Sequence, residues 1–277
     1  MSDPFGHRLS RAMDQRGPLC VGIDPHAALL LEWGLNDDVN GLETMAMTVV
    51  EALAGQVSVV KPQSAFYERF GSAGIAVLER VIAASRAAGA LVLLDVKRGD
   101  IGSTSQAYAD AYLDPSSPLA VDAITASPYL GFGSLQPMVD SAIRHDAGLF
   151  VLALTSNKEG PEVQHAIGAD GRSVAASVLA HLRALNGQAV PMGSFGAVVG
   201  ATIDDTGDDL DINGPLLAPG FGAQGGTADD LRRVFGAQAS RVLPSSSREI
   251  LRAGPSLEAL REATRRTQAA VADLTTA

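Results

Sequence analysis

Short apolar runs alternate along the chain with longer stretches whose apolar residues recur every three to four positions. The runs predict strands at Leu19–Asp24, Val57–Lys61, Leu91–Asp95, Ala120–Thr125, Leu149–Thr155, Phe195–Ala201, Pro215–Ala218 and Arg241–Leu243. Alanine-rich or amphipathic spacing predicts helices at Gly41–Ala54, Gly74–Ala88, Ser103–Leu113, Gly133–His145, Val174–Leu185 and Ala228–Phe235, with a last one from Leu257 to about Leu274. Strands that are apolar throughout, joined by helices, imply a parallel sheet covered on both faces. Eight such units over residues 1–277 fit a single α/β domain, a (β/α)8 TIM barrel. The acidic connection Asp204–Gly214 leaves little room for a full helix. The loop Asn157–Arg172 is long, polar and punctuated by glycine, which makes it a candidate lid.

The strand ends carry the chemistry. Successive runs finish at Asp24-Pro, Lys61-Pro, Asp95-Val-Lys97, Thr125-Ala-Ser-Pro, Thr155-Ser156-Asn157, Thr202 and Pro219-Gly. Polar residues at the carboxyl ends of parallel strands are where a barrel builds its active site. The third run is the most pronounced: four apolar residues, then Asp95, Lys97 and Asp100. Residues two apart on a strand share a face, so Asp95 and Lys97 point the same way. Unpaired buried charge is costly, so such a row fits a field acting on something bound there. Lys61, ending the neighbouring strand, can join them in a mixed-sign array. The competing reading is a structural ion-pair network closing the barrel mouth.

A second constellation is Pro219-Gly-Phe-Gly-Ala-Gln-Gly-Gly-Thr227. It contains G-x-G-x-x-G, but a dinucleotide fold needs that motif in its opening βαβ unit and an acid ending the next strand. Here it follows the seventh run, and the eighth leads to Ser247-Arg248. A phosphate cradle at a helix N-terminus fits better, with Arg248 supplying paired hydrogen bonds; a plain glycine-rich turn is the alternative. Asp24 is a candidate ligand for a sugar hydroxyl or an ordinary turn aspartate. Ser156 and Asn157 suit a polar ring edge or an ordinary loop. Ser103, with Gln106 three residues on, reads as a structural capping box. Cys20 reads as inert core, and His26 and Trp33 carry no usable signal.

Bulk properties narrow the partners. The chain has 277 residues, 46% apolar and 19% charged, with a net charge of -10. That balance argues against nucleic acid and requires an anionic substrate to be gripped locally. A single cysteine excludes an intramolecular disulfide and a cysteine metal cluster, and the five histidines lack ligand spacing, so no metal site is expected. No signal peptide is visible, and no apolar run reaches the roughly 18 residues of a membrane span. A soluble, cytoplasmic protein without membrane contact is expected.

Together these motifs resemble the orotidine 5′-phosphate decarboxylase family over nearly the whole chain. The resemblance rests on Asp-x-Lys-x-x-Asp at Asp95, Lys97 and Asp100, and on Lys61 ending strand two. It rests equally on Pro-Gly-x-Gly-Ala-Gln-Gly-Gly at 219–226 and on Ser247-Arg248 after strand eight. The run Val60–Glu68 is similar to the family's longer, divergent bacterial branch. The resemblance implies conversion of orotidine 5′-monophosphate to uridine 5′-monophosphate, the last step of de novo pyrimidine synthesis, without cofactor or metal. Lys97 would donate the proton to C6 and stabilise the carbanion, Asp95 would face the departing carboxylate, and Lys61 would orient the array and contact ribose. Asp24 would bind a ribose hydroxyl, Ser156 the pyrimidine, and Pro219, Gln224, Gly225, Gly226 and Arg248 the phosphate. The family's site is shared across a homodimer, which would assign Asp100, Ile101 and Thr104 to the neighbouring subunit's site. The long loop after Ser156 departs from the family pattern.

Losing CO2 from a ring carbon leaves an electron pair with no adjacent carbonyl or iminium sink, so a preorganised ammonium has to stabilise it. Lys97 is expected to be buried yet charged, with Asp95 and Asp100 favouring that form. Three other classes compete. A Mg2+-dependent phosphosugar decarboxylase or synthase of the same suprafamily would need an acid where Lys61 stands. A Schiff-base aldolase would use a barrel lysine as nucleophile. A noncatalytic nucleotide-phosphate binder would have no need of the charged array.

Overall fold

The computed structural model describes residues 3–204, 207–222 and 225–275. Eight parallel strands close on themselves in sequence order: β1 (Cys20–Ile23), β2 (Val59–Pro62), β3 (Leu91–Arg98), β4 (Ala123–Ala126), β5 (Gly148–Leu154), β6 (Phe195–Val199), β7 (Leu216–Pro219) and β8 (Val242–Ser246). The chain is therefore a (β/α)8 barrel, and each predicted strand overlaps an observed one. β3 runs three residues beyond its predicted end because its ladder with β4 resumes at Arg98–Ala126 after an irregularity following Leu94. β4 starts later than predicted, and just before it the Asp122 carboxylate accepts the Val92 N–H at 2.9 Å.

The period-two geometry of strands sorts the barrel interior into levels. A buried level takes one residue from each strand: Cys20, Val59, Leu93, Ala123, Phe150, Val198, Leu217 and Leu243. Two positions further along stand Gly22, Lys61, Asp95, Thr125, Leu152, Gly200, Pro219 and Ser245. The interior thus turns from wholly apolar to half polar within one alternation, at the carboxyl end. Outward-facing residues such as Val60, Val92, Leu94, Ile124 and Val151 pack in the shell beneath the surrounding helices.

The predicted helices are found with shifted ends, and 204–214 holds no helix among its described residues. Four short helices of four to six residues, Ala27–Glu32, Ala65–Glu68, Gly160–Gln164 and Arg248–Leu251, are too brief to leave a periodic trace. The capping box expected at Ser103 does not form. The helix Gly102–Leu113 starts earlier, with Ile101 at its N-cap and no side-chain cap. The Asp100 carboxylate accepts the Ile101 N–H at 2.8 Å, which sets that earlier turn, while Gln106 binds Asp110 and Ser141. No helix among the described residues is long and apolar enough to cross a membrane.

A helix that the pattern did not single out, Phe5–Arg16, closes the amino-terminal end of the barrel. Phe5, Leu9 and Met13 stand four apart on one stripe and join the interior cluster, with the Phe5 ring edge-on to Phe150 at 6.0 Å. Arg8 pairs with buried Asp122 and donates to the Asp146 carbonyl at 3.0 Å. Truncating a buried phenylalanine costs about 3–5 kcal/mol. Phe5→Ala is expected to lose about 3 kcal/mol in urea unfolding while activity per folded molecule is unchanged; a loss under about 1 kcal/mol would mean that the helix does not plug the barrel.

Candidate active site

The polar level opens into a cavity of about 360 Å3 at the carboxyl ends of the strands, within the usual range for a small-molecule site. Of the residues singled out in the sequence, Asp24, Lys61, Asp95, Lys97, Ser156, Pro219 and Arg248 line it. Asp100, Ile101, Thr104, Gly225 and Gly226 do not. Gln224 lies outside the described residues.

The charged array stands at the ends of β2 and β3. Lys97 Nζ donates to both Asp95 oxygens, at 2.6 and 2.7 Å, and Lys61 Nζ lies 3.6 Å from Asp95 Oδ2. Burial alone would raise the Asp95 pKa, but the fields of Lys61 and Lys97 and hydrogen bonds from Lys97 and Thr125 hold it below the usual carboxylate value. Burial likewise opposes charge on Lys61, yet Asp24 and Asp95 lift its pKa well above the ordinary lysine value. The expected burial belongs to Lys61, whose side chain is 7% exposed, and not to Lys97, which is 45% exposed. Lys97 has φ +45°, a left-handed conformation, at the irregularity in β3, and this carries it to the rim. Asp100 is not part of the array within one chain: its carboxylate turns back to the Ile101 amide, and Ile101 is 62% exposed.

Beside the array, Asp24 Oδ1 and Ser247 Oγ are buried with no hydrogen-bond partner in the protein. Both residues face the cavity, as do Gln63, Thr125 and Ser245. Each of these sits two or four positions beyond an interior apolar residue, so the alternation could have nominated it. Gly22 is required here: a Cβ would lie 2.6 Å from Asp24 Oδ2 and 2.7 Å from Ser247 Cβ. His26, passed over in the sequence, also lines the cavity with its ring 4.1 Å from that of Phe66. Burial lowers its pKa, partly countered by Asp24 and reinforced by Arg248.

Across the barrel from β3, the turn after β7 presents Pro219, Gly220 and Phe221 to the cavity, alongside Arg248 from the end of β8. Gly220, Gly222 and Gly225 all adopt positive φ, which glycine alone tolerates without strain. Gly226 donates to Gly220 O at 3.1 Å and accepts from the Gly222 N–H at 2.9 Å, closing the turn from behind. The expected helix-end cradle needs correction. The helix Ala228–Phe235 is already capped by a reciprocal Thr227–Asp230 box, and Asp229 and Asp230 occupy its first turn. Those carboxylates disfavour an anion there, which leaves the glycine turn and Arg248 as the candidates for holding one.

The loop after β5 is folded back on its base. Gln164 of the helix Gly160–Gln164 accepts the Thr155 N–H at 2.9 Å and donates to Thr155 Oγ1 at 2.7 Å. This fixes the segment bearing Ser156 and Asn157 at the cavity wall. Cys20 lies in the interior core, its thiol pushed up to about 12 by burial. Among the described residues no three His, Cys, Asp or Glu side chains come together to hold a metal. The cavity therefore offers a cation–anion–cation array at one side, the unpartnered Asp24 and Ser247 oxygens beside it, and a glycine-rich turn with Arg248 across from it.

The model of the orotidine 5′-phosphate decarboxylase / HUMPS family matches residues 17–263. A Nocardioides sp. protein named orotidine 5′-phosphate decarboxylase is 75% identical over 252 residues, covering 90% of this chain and 92% of its own. A Streptomyces coelicolor protein of the same name is 66% identical over 262 residues, 94% of each chain. The crystal structure of a Streptomyces avermitilis protein assigned to this enzyme is 63% identical, covers 100% of this chain and 97% of its own, and superposes with a TM-score of 0.97. The Leishmania donovani OMP decarboxylase structure is 30% identical, with coverage of 99% and 100% and a TM-score of 0.77.

The array sets a pH window. Asp95, held below its ordinary value near 4, stabilises the fold well above that pH and loses this contribution as pH falls through the lowered folded value. Lys61, held above its ordinary value near 10.4, contributes below that pH and loses its part as pH rises through the raised folded value. The difference in unfolding free energy between wild type and Asp95→Asn is expected to be constant from about pH 5 to about pH 9 and to shrink below about pH 4. A difference that varied across the neutral range would show that the array titrates there.

Proposed function

The chain belongs to the orotidine 5′-phosphate decarboxylase / HUMPS family, and from that premise we propose that it converts orotidine 5′-monophosphate to uridine 5′-monophosphate without metal or organic cofactor. The observation that carries this reading is Asp95 held between two ammonium groups on the cavity wall, Lys97 at 2.6 and 2.7 Å and Lys61 at 3.6 Å. Lys61 supports decarboxylation over a Mg2+-dependent family reaction, because a cation stands where a metal ligand from strand two would be needed.

In this reading the nucleotide phosphate binds the Pro219–Gly226 turn and Arg248, with Gln224 contributing from outside the described residues. Asp24 takes a ribose hydroxyl through its unpartnered Oδ1, Lys61 contacts ribose, and Ser156 meets the pyrimidine. The C6–carboxylate bond breaks, CO2 leaves, and the electron pair stays at C6. Lys97, preorganised by Asp95, stabilises that charge and transfers a proton from Nζ to C6; solvent then restores the ammonium. Asp95 lies beside the departing carboxylate. Phosphate binding, remote from the reacting carbon, supplies energy that can be used to orient it.

The proposed working unit is a cytoplasmic homodimer with one barrel domain per chain. Asp100, Ile101 and Thr104 lie outside their own chain's cavity, which suits service in the neighbouring site. Ile101 is exposed, as are Tyr129 and Leu130 on the loop after β4.

EDTA-treated protein is expected to consume orotidine 5′-monophosphate, followed by loss of its ultraviolet absorbance; a folded sample that is inactive, or active only with added Mg2+, would overturn the cofactor-free reading. Lys97→Ala is expected to lower kcat at least about 10^3-fold, and Arg248→Ala to act mainly on KM, by about 10- to 100-fold. A near-normal kcat in Lys97→Ala would refute its role. Separately, inactive Lys97→Ala and Asp100→Ala chains are expected to regain partial activity when mixed, because one site of each heterodimer is intact. No recovery in heterodimers shown to have exchanged would count against shared sites.

A further inference from the structure

Thr125 ends the interior face of β4 and is 1% exposed. Its single hydroxyl makes two bonds that meet at the reacting end of the cavity. It donates to Asp95 Oδ1 at 2.8 Å and accepts the Lys97 main-chain N–H at 2.9 Å. A hydroxyl offers one proton and two lone pairs, so both roles are filled together and in one sense only.

The second bond matters because of where Lys97 sits. Between Leu94 and Arg98 the β3–β4 ladder shifts register, and Lys97 adopts φ +45°. A non-glycine residue held there is strained and persists only where its surroundings enforce it. Within the irregularity the Lys97 amide finds its acceptor in the Thr125 side chain instead of the β4 backbone. The same oxygen also fixes the carboxylate to which the lysine's side chain returns, Lys97 Nζ donating to Asp95 at 2.6 and 2.7 Å. Asp95, Lys97 and Thr125 therefore form a closed loop of hydrogen bonds in which Thr125 touches the lysine's main chain and the aspartate's side chain. The β-branch restricts the threonine's χ1, which keeps the oxygen aimed.

We propose that Thr125 is a positioning residue for the decarboxylation: by holding Lys97 left-handed and Asp95 in register, it sets where the Lys97 ammonium stands over the reacting carbon. This rests on the function proposed above. Thr125 acts through Lys97 and Asp95, and its own bonds stay within the protein.

The test compares Thr125→Val, Thr125→Ala and Thr125→Ser. Misplacing a catalytic group by about 1 Å costs on the order of 10^2 in rate. Thr125→Val and Thr125→Ala are expected to lower kcat by about 10^2-fold with KM within about threefold, while Thr125→Ser, which keeps the hydroxyl, stays within about threefold of wild type in kcat. Losing the hydrogen bond to Asp95 also moves the acid limb of the kcat–pH profile to higher pH in the valine and alanine variants, which a merely structural defect would not do. Should the valine variant not fold, the alanine and serine pair decides the matter. Wild-type kcat in the alanine variant, or equal losses in alanine and serine with an unshifted acid limb, would overturn the proposal. A crystal structure of Thr125→Ala separates the two claims: Lys97 unchanged at positive φ with Nζ on Asp95 refutes the positioning role even if the substrate is reassigned, and inactivity of the wild type alone refutes the substrate.

Discussion

A carboxylate held between two ammonium groups inside an apolar barrel is the constraint on which the rest of this molecule turns. Each ion taken from water costs several kcal/mol, and only close, well-bonded partners repay it. Asp95 meets that condition with two bonds from Lys97, one from Thr125 and the field of Lys61. Lys61 meets it with Asp95 on one side and Asp24 on the other, both of which raise its pKa. The charges are thus mutually dependent, and removing one strands the others. An ion-pair network whose sole purpose was stability would be an inefficient use of such positions, since apolar side chains fill a barrel at least as well. The unpartnered Asp24 and Ser247 oxygens beside it point to a ligand as the element that completes the arrangement.

The barrel keeps this strain away from its foundation. At the amino-terminal end, Phe5, Leu9 and Met13 seal the interior and Arg8 neutralises Asp122. At the carboxyl-terminal end, one alternation higher, the polar level begins. Stability and chemistry are therefore separated along the strand axis, as barrels generally separate them. The positive φ of Lys97 is held within a closed eight-stranded ladder whose other irregularity lies between Leu152 and Leu154 of β5.

Much of this was legible in the residues. Short, mostly apolar runs gave away all eight strands, because strands covered on both faces are largely apolar, even where Ser58 and Asp122 interrupt the second and fourth. The charged strand ends then marked the mouth. What escaped did so for physical reasons. Phe5–Arg16 shows only three large apolar positions, enough for a narrow stripe, and its target is a barrel floor that exists only once the sheet has closed. Ser103 and Gln106 match a capping pattern, but Asp100 starts the turn sooner. The Thr227–Asp230 box was equally visible, and its bonds already occupy the amides that a helix-end cradle would use. No local pattern announces that a lysine will be left-handed, since that follows from a register shift between two strands distant in sequence. His26 became a site residue for the same kind of reason, through the closing of the barrel, whereas Thr125 already stood at a strand end that the alternation could have nominated.

The exposure of Lys97 bears on how the proposed site would work. Two unit charges 4 Å apart interact by about 1 kcal/mol in water and by about 4 kcal/mol at an effective dielectric of 20. A rim ammonium that is 45% exposed in a single chain is therefore well placed but weakly felt. Covering it would strengthen its field without moving it. The nearest apolar surface is at the same rim: Ile101, Tyr129 and Leu130 are all exposed, on adjoining loops that touch where the Ser127 N–H donates to Arg98 O at 2.9 Å. In the homodimer proposed above, a second subunit laid across this face would dry the array. The position of Lys97 is fixed within one chain by Asp95 and Thr125, whereas the strength of its field depends on what closes over the mouth.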